Sequence, residues 1–357
     1  MRIITCEQVS EGHPDKLADQ IADAIVTDCL RHDKNSRVAI ECLLKDNHII
    51  IAGELTSSHK PDYKSLVYEV LDRIGWEKLN YGDPRLFAGP DIRILVQEQS
   101  PDIALGVDKG GAGDQGMMYG YATNETLELL PIPYVVATRF LQILKNHPSK
   151  MFRADAKAQV SFDYDSGKIT TFLCSVQHSP DVEPADFRHI IEGIMVLAAT
   201  ENGLNSDFEK LVNPTGRFVV GGPYADCGVT GRKLACDTYG GIGRIGGGAM
   251  SGKDPSKVDR SGAYMARKIA RDIVRAGYAE KCEVQIAYAI GVAQPVSVYV
   301  ETFGTEYQDK AFLEQFVRDS YDLTPRGIIQ SLGLLDVDYN RVSAYGHFGK
   351  DDLPWEQ

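Results

Sequence analysis

Arg37-Val38-Ala39-Ile40-Glu41-Cys42-Leu43-Leu44 and His48-Ile49-Ile50-Ile51-Ala52-Gly53-Glu54-Leu55, separated by the turn dipeptide Asp46-Asn47, decide the fold. Two runs rich in β-branched and aliphatic residues around such a turn predict a β-hairpin. Upstream, Leu17, Ile21 and Ile25 recur at i+4 and predict a helix over 17–31. Downstream, Leu66, Val67, Val70 and Leu71 share one face of a helix over Tyr63–Ile74. The order is helix, hairpin, helix.

That order returns twice. Val136, Phe140 and Leu144 mark a helix over Pro133–His147, followed by Ala158–Tyr164 and Lys168–Val176 around Asp165-Ser166-Gly167, then a helix near Asp186–Thr200. Later come a helix over Arg260–Ala276, paired strands at Glu283–Ala289 and Val296–Phe303, and a helix over Lys310–Tyr321. The hairpins begin near residues 37, 157 and 283, about 120–126 residues apart, without convincing residue-level identity. The pattern predicts an α+β protein of three similar units packed around a shared core. Chance recurrence of common elements is the alternative.

The chain has 357 residues, enough for two or three units. Its formal net charge of −12 lacks the basic footprint of a nucleic-acid binder. The N-terminal residues have no basic segment leading into an apolar one, and no apolar run approaches the ~20 residues that span a bilayer. The seven cysteines are dispersed, odd in number and without a CxxC pair, which fits a reducing compartment and argues against a disulfide framework. Cys227 has no local histidine that would make it a nucleophile. Positive charge concentrates instead in one glycine-rich stretch, at Arg232, Lys233, Arg244, Lys253, Lys257 and Arg260. This distribution suggests a small polyanionic ligand.

Three segments carry candidate chemistry. Glu11-Gly12-His13-Pro14-Asp15-Lys16 places a histidine, a carboxylate and a lysine on a stiff loop entering a helix. Asp15 there is either a helix cap or a ligand for a hard cation. Gly110-Gly111-Ala112-Gly113-Asp114-Gln115-Gly116 lets backbone approach a ligand beside a carboxylate. The third runs from Asp237 to Arg260. Its Gly241–Gly246 fits GxGxxG after a plausible strand, but more glycines follow where that fingerprint must open a helix. Gly247–Lys253 begins a P-loop, yet Asp254 stands where a hydroxyl must bind magnesium, and Pro255 opposes the required helix. What remains is a flexible cradle with Lys253, Lys257 and Asp259, suited to phosphates and a metal, or else a solvated surface loop.

Taken together, these segments resemble the S-adenosylmethionine synthetase family, the methionine adenosyltransferases. The resemblance covers nearly the whole chain. It rests on Glu11–Lys16 with Ala18-Asp19-Gln20, Gln99-Ser100-Pro101-Asp102, Gly111–Gly116, Asn213–Phe218, Asp226–Gly228 with Thr230–Lys233, Gly246–Ser261 and Ala344–Gly349, in the family's order. It implies three similar α+β subdomains (1–100, 110–219 and 220–357) in a pseudo-threefold arrangement, with sheets forming the core and a dimer interface. It further implies a cytoplasmic homodimer, often paired into homotetramers, whose active sites lie between two subunits and which uses two Mg2+ per site and K+.

In the reaction that the family implies, methionine sulfur attacks C5′ of ATP and expels triphosphate, which is then hydrolysed to phosphate and pyrophosphate. By matching motif, His13, Lys157, Arg232, Lys253 and Lys257 are the expected catalytic groups. Asp155, Arg217, Phe218, Asp226, Lys233, Arg244 and Ala249 join them in holding ATP. Glu54, Gln99, Asp114, Asp226 and Lys257 are expected at methionine, Asp15 and Asp259 at magnesium, and Glu41 at potassium. Gln99, Ser100, Pro101, Asp102 and Ile103 belong to a lid. Read from the residues alone, Glu41 and Glu54 are ordinary strand carboxylates. Two departures from the family pattern are a shorter 99–113 loop and Met250 in place of a phenylalanine. A phosphotransferase, or a non-catalytic nucleotide-binding subunit, is the competing expectation.

Overall fold

A computed structural model describes residues 2–75, 89–98 and 110–357. The first hairpin forms as expected, β2 (Arg37–Lys45) pairing antiparallel with β3 (His48–Thr56). Asp46 takes a positive φ of 53° in the turn, a conformation that Asp tolerates better than most residues. Alternation sends Val38, Ile40, Cys42, Leu44, Ile49 and Ile51 into the core, beneath the helices Pro14–His32 and Tyr63–Ile74. The opposite face carries Ala39, Glu41, Ala52 and Glu54, with Ala39 paired to Glu54 and Glu41 to Ala52.

The second hairpin joins β6 (Phe152–Asp163) to β7 (Lys168–His178), and the third joins β10 (Lys281–Tyr288) to β11 (Ser297–Glu301). A parallel strand follows the first two hairpins further along the chain: β4 (Asp91–Gln97) lies beside β3, and β8 (Glu209–Val212) beside β7. Each sheet also borrows a strand. β1 (Ile3–Val9) pairs with β6, β5 (Gly116–Thr123) with β10, and β9 (Gly228–Val229) with β2. The borrowing is cyclic: the first unit lends to the second, the second to the third, and the third to the first. Hydrogen-bonded edges therefore hold the three units together.

The apolar interior is continuous between the first and third units. A separate cluster around Phe140, Val160, Phe172 and Met195 fills the second, so the interior is not one shared core. The helix Val258–Arg275 lies across β5, and its Arg267 is wholly buried. Arg267 donates to both carboxylate oxygens of Glu356 at 2.8 Å and to the carbonyls of Tyr121, Glu128 and Leu129. Trp355 stacks on Tyr264 with ring centroids 3.7 Å apart. These contacts fix the C-terminal residues to the core. Among the described residues, no helix is long and apolar enough to cross a membrane.

Helix and strand meet most closely at Gly120, where a Cβ would overlap the backbone of Ala266. Gly120→Ala must push the helix off β5, and overpacking of this kind costs at least about 1–3 kcal/mol. A fall of that size or larger in denaturant-unfolding stability is expected; an unchanged midpoint would contradict this packing.

Candidate active site

The site begins at the start of the helix Pro14–His32. Pro14 occupies the first turn, where its missing N–H costs nothing. The cap is His13, not Asp15: its Nδ1 accepts the Asp15 N–H at 3.2 Å. With Nδ1 engaged as an acceptor, the neutral ring carries its proton on Nε2. Burial pushes the His13 pKa down to about 2, the cations of Lys233 and Lys157 push the same way, and Asp226 opposes them. His13 is thus a neutral donor among cations across ordinary pH.

Asp15 is left to hold the loop opposite. Its Oδ1 accepts the Val229 N–H at 2.9 Å, its Oδ2 pairs with Lys233 at 2.7 Å, and Arg232 Nε lies 3.9 Å from Oδ1. One and two helical turns further on, Asp19 accepts the Gly231 N–H at 2.8 Å and Asp23 the Gly252 N–H at 2.9 Å. Asp19 also pairs with Lys16, which reaches Asp237, and Asp23 pairs with Arg260. All seven residues of this ladder except Lys233 are nearly solvent-free. Sequence reading did not identify Asp23 or Asp237, nor a positioning role for Asp19. The spacing of Asp15, Asp19 and Asp23 at i, i+4 and i+8 was the available signal.

Asp155 lies on β6 beside this cluster, two residues before the exposed Lys157. Its Oδ2 accepts the Gly222 N–H at 2.7 Å, while the buried Oδ1 has no protein partner. Burial raises its pKa to about 6; the Gly222 bond and Lys157 pull it back, and Asp226 and Asp15 raise it. A buried acceptor left open suits a ligand hydroxyl. The neighbouring Phe218 is held by a backbone bond to His178 Nε2 at 3.0 Å, with Arg217 exposed beside it.

The glycine-rich cradle forms a second group. No strand leads into Gly241–Gly246; a single helical turn, Leu234–Asp237, and loop precede it. Gly252–Asp254 runs along β2, bonded through Ile40 N to Gly252 O at 2.8 Å and Asp254 N to Val38 O at 3.0 Å. Pro255 delays the next helix only to Val258, with Lys257 as its cap residue. The lysines are not free point charges: Lys253 pairs with Asp259, and Lys257 with Asp254. Arg244 pairs with Glu283 at 3.1 Å. Lys253, Ala249, Glu41 and Glu54 line one cavity of about 310 Å³, floored by Ala39 and Ala52. The alanines leave the room that the two glutamates face.

Two groups result, His13–Asp15–Lys157–Asp226–Arg232–Lys233 and Glu41–Glu54–Ala249–Lys253–Asp259, and they adjoin where Ala249 lies against Gly231 and Thr230 bonds to Cys42. Asp114 is exposed and accepts the N–H of the adjacent Gln115 at 2.7 Å; among the described residues no hydrogen bond ties it to either group. Gln99, Ser100, Pro101, Asp102 and Ile103 lie outside the described residues. The donor sets fit hard cations. Asp259 engages Lys253 through Oδ2 only, and carboxylate oxygens are the ligands that magnesium prefers. Glu41 likewise offers an exposed carboxylate to a larger alkali ion.

Because the Asp155 pKa is raised, the folded protein binds an extra proton between pH 3.8 and about 6, and stability falls as pH rises through that window. Asp155→Asn should flatten this part of the stability-versus-pH curve, by up to about 3 kcal/mol. Unfolding of both proteins from pH 4 to 7 checks it; parallel curves would show that Asp155 titrates normally.

The sequence matches the models of the N-terminal domain (residues 1–101), central domain (109–218) and C-terminal domain (220–357) of S-adenosylmethionine synthetase. It is 46% identical to the S-adenosylmethionine synthase of Mycoplasma capricolum subsp. capricolum, an alignment covering 100% of this chain and 95% of that one. Similar relatives carry the same name in Mycoplasma mycoides subsp. mycoides (46%, covering 100% and 95%) and Mesoplasma florum (45%, covering 100% and 97%). With all three domain models matched along the chain and such identity over its full length, the chain belongs to the S-adenosylmethionine synthetase family, the methionine adenosyltransferases.

Proposed function

We propose that the chain makes S-adenosylmethionine by attack of the methionine sulfur on C5′ of ATP, with the triphosphate expelled whole and then hydrolysed to phosphate and pyrophosphate. The observation that carries this reading is His13, a buried neutral Nε2–H donor whose pKa is held down by burial and by the cations of Lys233 and Lys157. A thioether has no proton to lose, so its attack needs no general base. Positive charge grows on sulfur and negative charge on the leaving oxygen, and fixed donors aimed at that oxygen stabilise the transition state. A donor of this kind contributes on the order of 3 kcal/mol.

In this scheme His13, Lys157, Arg232 and Lys233 bind the departing triphosphate, and Asp155 Oδ1 accepts a ribose hydroxyl. Phe218 lies against adenine with Arg217 beside it. Lys253, Lys257, Arg244 and Ala249 complete the phosphate and nucleotide contacts. Glu54, Gln99, Asp114, Asp226 and Lys257 position methionine beneath the lid formed by Gln99–Ile103. Asp15 and Asp259 hold two magnesium ions and Glu41 a potassium ion. Magnesium bridging phosphate oxygens spreads the charge of the leaving group.

A second copy of the chain completes the site, bringing the Lys253 group of one subunit to the His13 group of the other. The outward face of the first sheet supports this, since Leu43 and Leu95, on the same face as Glu41 and Ala52, are 38% and 64% exposed. We assign units 1–100, 110–219 and 220–357, a homodimer pairing into tetramers, and a cytoplasmic location to this enzyme.

Product analysis with ATP, methionine, magnesium and potassium is the test. S-adenosylmethionine formed one-for-one with phosphate and pyrophosphate is expected; ADP without it would mark a phosphotransferase, and ATP binding without turnover a regulatory subunit. Lys253→Ala should lower turnover by roughly a hundredfold, the scale of a lost transition-state donor, and a wild-type rate would remove Lys253 from the mechanism. Glu41→Ala should abolish most of the activation by potassium, read as rate against potassium concentration; an unchanged curve would place that ion elsewhere.

A further inference from the structure

Far along the helix Pro14–His32 from His13, three side chains that the proposed reaction does not use converge. Asp28 and His32 lie four residues apart on the helix, and His59 reaches them from the loop after β3. His59 Nε2 is 2.7 Å from Asp28 Oδ2, and His32 Nδ1 is 3.3 Å from Asp28 Oδ1. The two imidazoles stack with centroids 4.0 Å apart. One donor atom from each residue lies within 4.8 Å of the others.

We propose that Asp28, His32 and His59 bind a borderline divalent cation of the zinc class, at a site separate from the magnesium and potassium positions. Imidazole nitrogen selects this class over magnesium. Ligands held at about 2.0–2.1 Å from a tetrahedral ion are about 3.3 Å apart, the separation of His32 Nδ1 from Asp28 Oδ1. His32 Nδ1 also lies 2.9 Å from the Asp28 carbonyl oxygen, a contact that metal binding exchanges for coordination as the ring proton moves to Nε2. The exposed His32 has the freedom to turn its ring out of the stack so that the nitrogen lone pairs converge.

Two further observations favour a cation here. Asp28 has no lysine or arginine ion-pair partner among the described residues, and it sits in the last turns of a helix, whose carbonyl end attracts positive charge. The loop carrying His59 is already fixed without its imidazole. Ser58 donates N–H and hydroxyl to Asp33 Oδ2 at 2.8 and 2.9 Å, and the Ser57 and Ser36 hydroxyls are 2.8 Å apart. The third ligand is therefore preorganised, which lowers the ordering cost of binding.

Titration of the full-length protein with Zn2+ in excess Mg2+ tests the site, with His32→Ala and His59→Ala alongside. One Zn2+ per chain is expected, weakened more than about tenfold in each variant, the lower bound for disturbing a ligand set. Zn2+ should also raise the Tm of the wild type and not of the variants. Magnesium-supported turnover, which these residues do not serve, reports that the variants fold. Absence of zinc binding, or equal affinity and equal Tm shift in all three proteins, would overturn the proposal.

Discussion

Everything at the site depends on three carboxylates spaced along one helix. Asp15, Asp19 and Asp23 accept the N–H groups of Val229, Gly231 and Gly252, residues more than two hundred positions away. The loops they hold carry Arg232, Lys233 and Lys253 but little secondary structure of their own. Glycine-rich backbone is costly to order, and here the carboxylates of a rigid helix impose that order from outside. Each of the three also takes a cation, Lys233, Lys16 or Arg260, with Asp237 sharing Lys16 and pushed up in pKa by burial. A ladder of this kind contributes modestly to net stability, because desolvation offsets most of the attraction. Its effect is on geometry. Removing one member would leave a buried charge unmatched and release a loop at once.

The cyclic exchange of β1, β5 and β9 acts at a larger scale. β9 has only two residues, yet it brings the 228–233 loop against the N-terminus of the helix. Gly228 is required there because a Cβ would overlap the Pro14 carbonyl. Packing, strand exchange and the carboxylate ladder therefore converge on one place. That agreement holds the His13 cap and its neighbours rigidly.

Elements governed by local pattern were legible. The helix Tyr63–Ile74 has the bounds that its apolar spacing predicts, and the three hairpins sit where their turns place them. The short or borrowed strands β1, β4, β5, β8 and β9 were not legible. Their pairing is set by partners far away in sequence, and β4 and β9 carry little alternation to betray it. At the site, sequence named His13, Asp15 and Asp155 but not their microscopic roles. Asp15 reads as a cap because aspartate is a favoured one; the His-Pro step instead leaves the imidazole nearest the free amides. The pairing of Lys253 with Asp259 and of Lys257 with Asp254 is likewise a property of the folded loop.

Those pairings bear on how a polyanion could enter an acidic protein. The lysines are held by aspartates in position and largely neutralised, so the site does not store strong repulsion between cations before a ligand arrives. An incoming triphosphate offers each lysine more charge than its aspartate does, and a carboxylate released from its lysine is then available to a hard cation. Asp259 is the clearest case, since it binds Lys253 through Oδ2 only. In the proposed reaction, cation and anion binding thus reinforce each other. His13 stands apart from this exchange, because its ring is already neutral and already a donor. In the proposed reaction it needs no change of protonation to meet the charge that develops on the leaving oxygen, and a group that does not reorganise retains its full stabilising effect in the transition state.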